Sequence, residues 1–592
     1  MLRWAGPLQQ AWQSFERHPR AMAAASLVWV VAISGIAFFW RLGSTGLIDE
    51  TEPRFAEAAR QMLVTGDWVT PSFNGEPRFD KPPLLYWLMA LAYGAFGTHA
   101  WAARLPSALS ALAVVALSCY TLQRYGWARP DDARTSGRSQ RRQRWFAAWI
   151  GAALVALTPE TLVWARVGVA DMLLTAGVAG SLLCFFMGYA SQPARPQGAL
   201  PNRWYWACYL LLACAVLAKG PIGLVLPGLA IAAFALYLGQ LRALWHEIRP
   251  LWGGLIVLGL TLPWYALVTL RHGSDYISAF LGYHNIERFT GVVNQHSGPW
   301  YYYVPVVLLG FAPFSVYLPQ AMARLQFWQR RAWQRQPRAA QLGLFALFWF
   351  ASTFAFFSAA ATKRPSYILP LIPAAAVLVA LLWSEAMVRA PRARSWWASG
   401  LANMLLLLAA AAALAYSPQL LGSNPAAPNL DRALASSAVP ERGAAVLGLA
   451  VLAVLLLLAR PAARRWVWGA NAIGMVAFVA LALMPAYELV DRHRQQPLRE
   501  LAAIARQAQQ PQEPLLMLGF AKPSVVFYSQ RSVTFVPRAS RAPMVASDAP
   551  AETALILARP PQLETVAGDW TWQRCLGSRG AYQLIRVATP TE

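Results

Sequence analysis

Apolar runs near twenty residues long recur along almost the whole chain, and that is the length an α-helix needs to cross a hydrocarbon core about 30 Å thick. Thirteen such stretches stand at about residues 21–40, 102–122, 146–163, 170–190, 204–218, 221–238, 250–270, 300–320, 341–358, 366–386, 396–416, 444–459 and 466–485. With 57% of its 592 residues hydrophobic and 13% charged, the chain reads as an all-α polytopic membrane protein rather than as several soluble domains. The first run, Ala21 to Trp40, is uncharged, flanked by Arg17, Arg20 and Arg41, and lacks a small-residue cleavage site. It reads as a retained helix, not a signal peptide.

The net charge of +24 invites a nucleic-acid reading, which its distribution removes. If residues 1–20 lie on the inner side, alternate segments hold 25 arginines against four acids, Glu16, Asp131, Asp132 and Glu247. The basic excess then follows the positive-inside rule, and its partners are anionic membrane lipids rather than a polynucleotide. All four lysines, Lys81, Lys219, Lys363 and Lys522, fall on the opposite side together with the chain's end. Three of them sit in short loops beside spans, where a compact ammonium can meet a phosphate or merely snorkel to the interface. Four cysteines lie within apolar runs and Cys575 stands alone in the tail, so no disulfide framework is suggested.

Between the first two spans lies a polar island, Leu47 to Trp87, with Asp49, Glu50, Glu52, Glu57, Asp67, Glu76 and Asp80 against Arg54, Arg60, Arg78 and Lys81. So many charges beside lipid are costly without a purpose. The first loop, 41–101, is therefore the expected catalytic loop of a membrane domain covering 1–490. A helix from about Glu52 to Leu63, with Pro53 in its first turn, places Phe55, Ala59, Met62 and Leu63 on one face and Arg54, Glu57 and Gln61 on another, toward an aqueous cleft. Turns follow at Asn74-Gly75 and Pro82-Pro83, then a short apolar helix at Leu84 to Phe96 that lies on the surface or re-enters.

Later outer loops are shorter. One brings Arg166 and Asp171 to adjacent helix ends, where Asp171 either caps its helix or faces a polar cavity. LAKGP sets Lys219 at a sharp turn, and TKRPSYILP puts Lys363, Arg364 and Tyr367 beside a span kinked by Pro370 and Pro373. The loop from Arg271 to Tyr303 carries three histidines, with His284, Glu287 and Arg288 at helical spacing. His284 and His296 are candidate ligands for a divalent metal, although the spacing is not a standard zinc pattern. Residues 491–592 read as a small α/β domain: a helix at 498–508, strands at LLMLG, SVTFV and ALILA, a helix at PSVVFYSQ and a last hairpin around YQLIRVA. It shows no phosphate-binding glycine motif.

DETEPRFAEAARQM, TGDWVTPSFNGEPRFDKPPLLYW, LAKGP and TKRPSYILP occur in this order over residues 20 to 490. Together they resemble the GT-C glycosyltransferases of the protein O-mannosyltransferase-like group, in particular the bacterial branch that modifies lipid A with aminoarabinose. The resemblance implies a multi-span enzyme of the bacterial inner membrane, a monomer with its site and C-terminus in the periplasm. It would take 4-amino-4-deoxy-L-arabinose from undecaprenyl phosphate to a lipid A phosphate, and so give resistance to polymyxin and cationic peptides. It implies catalytic roles for Asp49, Glu52 and Asp171, and substrate binding by Arg54, Asp80, Lys81, Lys219, Lys363, Tyr367 and Arg288. No cofactor is required beyond a possible divalent metal. Relatives commonly carry Asp-Glu where this chain has Thr51-Glu52, which leaves Asp49 and Glu52 as rival catalytic acids.

The residues themselves suit that chemistry. Transfer from a lipid phosphate needs cations that hold the departing phosphate, for which Lys81, Arg54, Lys219 and Lys363 are candidates. A hydroxyl acceptor would need a base such as Asp49; a phosphate acceptor is already an anion and needs one less. The alternatives are protein O-mannosylation, transfer of another lipid-linked hexose, or a lipid-sugar flippase, whose inverted repeats are not evident.

Overall fold

The computed structural model describes residues 18–127, 137–191, 201–287, 291–292, 296–388, 394–422, 424–537, 553–564 and 571–588. Nine of its helices are long and apolar enough to cross a membrane, ten if the bent pair Tyr303–Gly310 and Ser315–Arg324 is one span. Helix occupies all thirteen expected stretches, but Arg203–Lys219 and Ile222–Leu238, at 17 residues each, fall just short of that length, and two others need correction. The run at 146–163 is not one span: Gly137–Leu157 stops at Thr158, whose extended backbone precedes a separate helix, Pro159–Trp164, begun by Pro159. The run at 300–320 is broken, its two halves meeting at 113° around Pro313, which has no N–H to continue the first helix.

The bundle core is a continuous apolar cluster in which Ala170–Ala190 and Ile372–Val388 are enclosed along nearly their whole length. Small residues allow this. Gly177 packs on Ala215 so closely that a Cβ there would lie 2.7 Å from the Ala215 methyl, the close backbone approach typical of helices packed within a bilayer. At the far ends of these helices from the chain's start, the first loop forms a second layer. Its helix, Thr51–Thr65, packs Phe55, Ala59 and Met62 against Leu85, Tyr86 and Met89 of Leu84–Phe96. The short apolar helix is thus a lid over the bundle end, 13 residues long.

The tail ends in a five-stranded sheet. Strands β1 (Ser72–Phe73) and β2 (Glu76–Pro77) belong to the first loop; β3 (Leu515–Leu518), β4 (Val533–Val536), β5 (Thr553–Ala558), β6 (Thr571–Arg579) and β7 (Tyr582–Ala588) form the tail sheet in the order β4-β3-β5-β7-β6. β3 pairs in parallel with β4 and β5, and β7 pairs antiparallel with β5 and β6. Interior strand β3 is buried at every position, as expected for a strand covered on both faces. The amphipathic helix Gln496–Ala508 covers one face with Leu498, Leu501, Ala502 and Ala505.

Candidate active site

The first loop is pinned from below by one buried ion pair. Glu52, 1% exposed, accepts from Arg104 Nε at 2.8 Å and the Gly168 amide at 2.7 Å on one oxygen, and from the Ile48 amide at 2.7 Å and Arg104 Nη2 at 3.0 Å on the other. Arg104 spends its remaining donors on the carbonyls of Leu42, Thr45 and Gly46. Every strong site on both groups is used, so Glu52 ties the loop to the 166–170 turn. It is not placed to face a sugar. Glu57, expected toward a cleft with Arg54, is also buried and is held by Arg60 at 2.7 Å and Gln61 at 2.7 Å.

The loop is clasped from above by the tail. Asp49 accepts from the Ser524 amide at 2.9 Å on one oxygen and from the Ser524 hydroxyl at 2.6 Å on the other, at the start of Pro523–Ser529. Burial raises its pKa, against the lowering effect of those hydrogen bonds and of Lys522. Lys522 reaches Glu50 at 3.2 Å, Asp491 accepts from the Gly46 amide at 2.8 Å, and the Tyr528 hydroxyl accepts from the Leu47 amide at 2.9 Å. Asn74 completes the clasp with a two-way pair to the backbone of Val533, 2.8 Å in each direction. The tail thus does mechanical work on the loop through Asp49, and Ser524 had no sequence signal that could link it to a residue 475 positions away.

Between loop and bundle lies a cluster of opposite charges. Lys219 Nζ donates to Asp171 at 2.7 Å and stands 5.1 Å from the centre of the Tyr367 ring. Ser366 donates to the same carboxylate, and Lys81 is near enough to act on it electrostatically. Lys81 itself donates to the Asp80 carbonyl at 2.7 Å, while Asp80 pairs with Arg78, whose guanidinium lies 5.1 Å over Phe55 and bonds the Tyr86 hydroxyl at 3.3 Å. Four expected site residues therefore converge from separate parts of the chain: Asp171 and Lys219 from helix ends, Tyr367 from the short helix Pro365–Leu371, and Lys81 from the first loop. Arg54 lies at the loop side with its guanidinium 6.0 Å from the Phe73 ring, and its buried Nε has no hydrogen-bond partner among the described residues.

Lys363 is placed differently. It is 6% exposed, its ammonium donates to the carbonyls of Ser358 and Ala360 at 2.8 Å each, and its amide donates to the His296 carbonyl at 2.9 Å. Burial lowers its pKa. It closes the 359–365 turn, and two of the three donors of its ammonium are spent on that turn's own carbonyls. Arg288 lies outside the described residues, as does the side chain of His284. Among the described residues no three His, Cys, Asp or Glu side chains gather as a metal site.

One acid at this end escaped the sequence reading. Glu160, on the short helix Pro159–Trp164, is 7% exposed; one oxygen accepts from Trp164 Nε1 at 2.7 Å and the other has no partner among the described residues. Burial, reinforced by the charge of Asp171, pushes its pKa up to about 7. Gly310 makes room for it, since a Cβ there would lie 2.6 Å from Glu160 Cγ. The signal was present in Thr158-Pro159-Glu160, a helix-start signature inside an apolar run.

The fold, with its arrangement of loop, bundle and tail, is the GT-C fold. The crystal structure of ArnT from Cupriavidus metallidurans bound to undecaprenyl phosphate superimposes with a TM-score of 0.74, covering 95% of this chain and 98% of that one at 24% identity. In sequence, the chain is similar to the undecaprenyl phosphate-alpha-4-amino-4-deoxy-L-arabinose arabinosyl transferase of Pseudomonas aeruginosa (strain UCBPP-PA14), 33% identical over 392 residues, 64% of each chain. The enzyme of the same description from Shewanella sediminis is 30% identical over 341 residues, 57% of this chain and 56% of its own. These matches span less than two thirds of the relatives' lengths. Two family models also match: dolichyl-phosphate-mannose-protein mannosyltransferase at residues 134–271, and the C-terminal domain of cyanobacterial RgtA-type glycosyltransferase at 508–591.

Proposed function

We propose that this chain transfers 4-amino-4-deoxy-L-arabinose from undecaprenyl phosphate to phosphate groups of lipid A, at the periplasmic face of a bacterial inner membrane. The observation that carries this reading is the likeness over 392 residues to enzymes described by that donor, and the meeting of Lys81, Asp171, Lys219 and Tyr367 at one place supports it. The periplasmic orientation of the site and tail rests on the arginine-rich opposite end. The division into a membrane domain of 1–490 and a tail domain of 491–592 is part of the same proposal.

In this mechanism an oxygen of the acceptor phosphate attacks the anomeric carbon, and the bond from that carbon to the carrier's phosphate oxygen breaks. Both electrons of that bond leave with undecaprenyl phosphate. Negative charge grows on the departing phosphate, so cations aimed at it lower the barrier more than the ground state. Lys81, Lys219 and Arg54 take that role. Asp171 holds Lys219 in place and offers a carboxylate to the sugar; Tyr367 fixes the same ammonium from its ring face. Asp49 and Glu52, whose oxygens are already engaged, hold the loop and do not act as bases.

A phosphate acceptor is consistent with this arrangement because it requires no proton abstraction. The mannosyltransferase-type match at 134–271 favours a second reading, transfer to a protein hydroxyl, which would need a free carboxylate as base. Mass spectrometry of lipid A from cells with and without the gene tests the proposal. Aminoarabinose on the phosphates only when the gene is present is the expected result, and an unchanged phosphate pattern would overturn it.

A further inference from the structure

At the opposite end of the bundle, a cleft of about 600 Å³ opens between the first helix, Pro19–Ser34, and the helices Ala100–Tyr125 and Gly137–Leu157. That volume lies within the range of small-molecule and cofactor sites. Its walls are apolar, with Leu27, Val30, Ala116 and Cys119, and its mouth is ringed by Arg124, Arg141 and Arg144. No carboxylate lines it among the described residues.

The three arginines are arranged, not scattered. Arg144 donates to the Arg124 carbonyl at 3.3 Å and lies 5.7 Å over the Trp127 ring, while Arg124 lies 5.2 Å over Tyr120. The buried Nε of Arg144 has no partner among the described residues. Burial and the neighbouring charges of Arg141 and Arg124 both disfavour the charged form of Arg144. Three guanidiniums held together at a partly dry mouth repel one another, and an anion with several acceptor oxygens relieves that repulsion while pairing in forked geometry. The apolar wall below them faces hydrocarbon: Leu27 is 65% exposed.

We propose that this cleft binds one anionic phospholipid of the leaflet at the arginine end, its phosphodiester between Arg124, Arg141 and Arg144 and an acyl chain along Leu27, Val30 and Ala116. The pairing of a cationic mouth with an apolar wall fits a lipid better than a soluble anion, for which the wall has no use. The site lies across the bundle from the Lys81–Asp171–Lys219 cluster and is independent of what that cluster transfers.

Native mass spectrometry of the full chain in detergent, titrated with phosphatidylglycerol and with phosphatidylethanolamine, tests this. One phosphatidylglycerol should bind at least tenfold more tightly than phosphatidylethanolamine. Combined Arg124→Gln, Arg141→Gln and Arg144→Gln should weaken it tenfold or more, and so should Ala116→Trp, which fills the cleft and leaves the charge. Arg330→Gln, Arg331→Gln and Arg335→Gln, an equal loss of charge elsewhere at the same end, should not. The proposal fails if the two lipids bind alike, if the control triple variant weakens binding as much, if Ala116→Trp has no effect, or if inorganic phosphate displaces the lipid. Should the triple variant not fold, the single change of exposed Arg141 to Gln supplies the charge comparison, with a smaller loss expected and none overturning the idea.

Discussion

The two ends of this bundle handle charge in opposite ways. At the loop end many cations have an acid beside them: Arg104 with Glu52, Lys219 with Asp171, Arg60 with Glu57 and Lys522 with Glu50, while Arg54 and Lys363 are held otherwise. At the arginine end the cations outnumber acids, and Arg124, Arg141 and Arg144 face one another. The loop end is largely neutralised from within, so its charges hold shape and, in the proposed mechanism, position donors at the reaction centre. The arginine end is neutralised from outside, by lipid. A substitution at the first end should therefore damage the protein or its chemistry, and at the second should leave both nearly intact.

The largest effect is expected from Glu52→Ala, which strands Arg104 in the core. Breaking a buried pair on one side costs about 3 to 5 kcal/mol, so thermal unfolding in detergent should show a strongly destabilised or unfolded protein. Lys219→Ala should reduce the proposed aminoarabinose transfer by about 10² to 10³, the cost of losing a charge-stabilising donor, while the folded fraction is retained. Equal loss of folding and activity there would make Lys219 a structural residue like Arg104.

Glu160 gives a pH test. Its folded pKa of about 7 exceeds the ordinary 4.5, so the proton is held more tightly in the folded state. The stability this contributes is complete below pH 4.5 and is lost as pH rises through 7. Glu160→Gln, which does not titrate, should gain on wild type by about 3 kcal/mol between pH 4.5 and pH 8, measured by thermal denaturation at each pH. A pH-independent difference would place Glu160 in a wetter site.

Ser524→Ala should cost about 1 to 3 kcal/mol by leaving one oxygen of Asp49 without its hydroxyl donor, and should loosen the loop as seen by hydrogen exchange at residues 46–50. Smallest of all, Arg335→Ala at the exposed arginine end should change stability by less than about 0.5 kcal/mol and leave transfer unchanged. A large effect there would collapse the contrast between the ends.

The contrast itself was partly legible in the residues. Apolar runs and arginine-rich loops marked spans and sides because bilayer thickness and insertion energetics act on composition alone. The tail strands were equally legible, as short apolar runs bounded by turns. Lys81, Asp171, Lys219 and Tyr367 could be nominated from short loops, because charge beside a span is costly. Which of the acids point inward was not legible. Glu52 and Asp49 are three residues apart, yet one is sealed by Arg104 and the other by Ser524, partners 52 and 475 positions away. Lys363 looked equivalent to Lys219 in sequence, but the curl of its turn aims the ammonium at its own carbonyls.

The clasp between Asp49 and Ser524 also sets an order of events during synthesis. The loop leaves the ribosome early, whereas its upper partners, Tyr528, Ser524 and Val533, come some 450 residues later. At bacterial elongation rates of about 5–20 residues per second, that interval is on the order of 25 to 90 seconds. Throughout it Asp49 must wait in water at the membrane surface, and a chain interrupted before residue 515 would hold its spans beneath a loop fastened only by Arg104 on Glu52 and by Asp491 on Gly46.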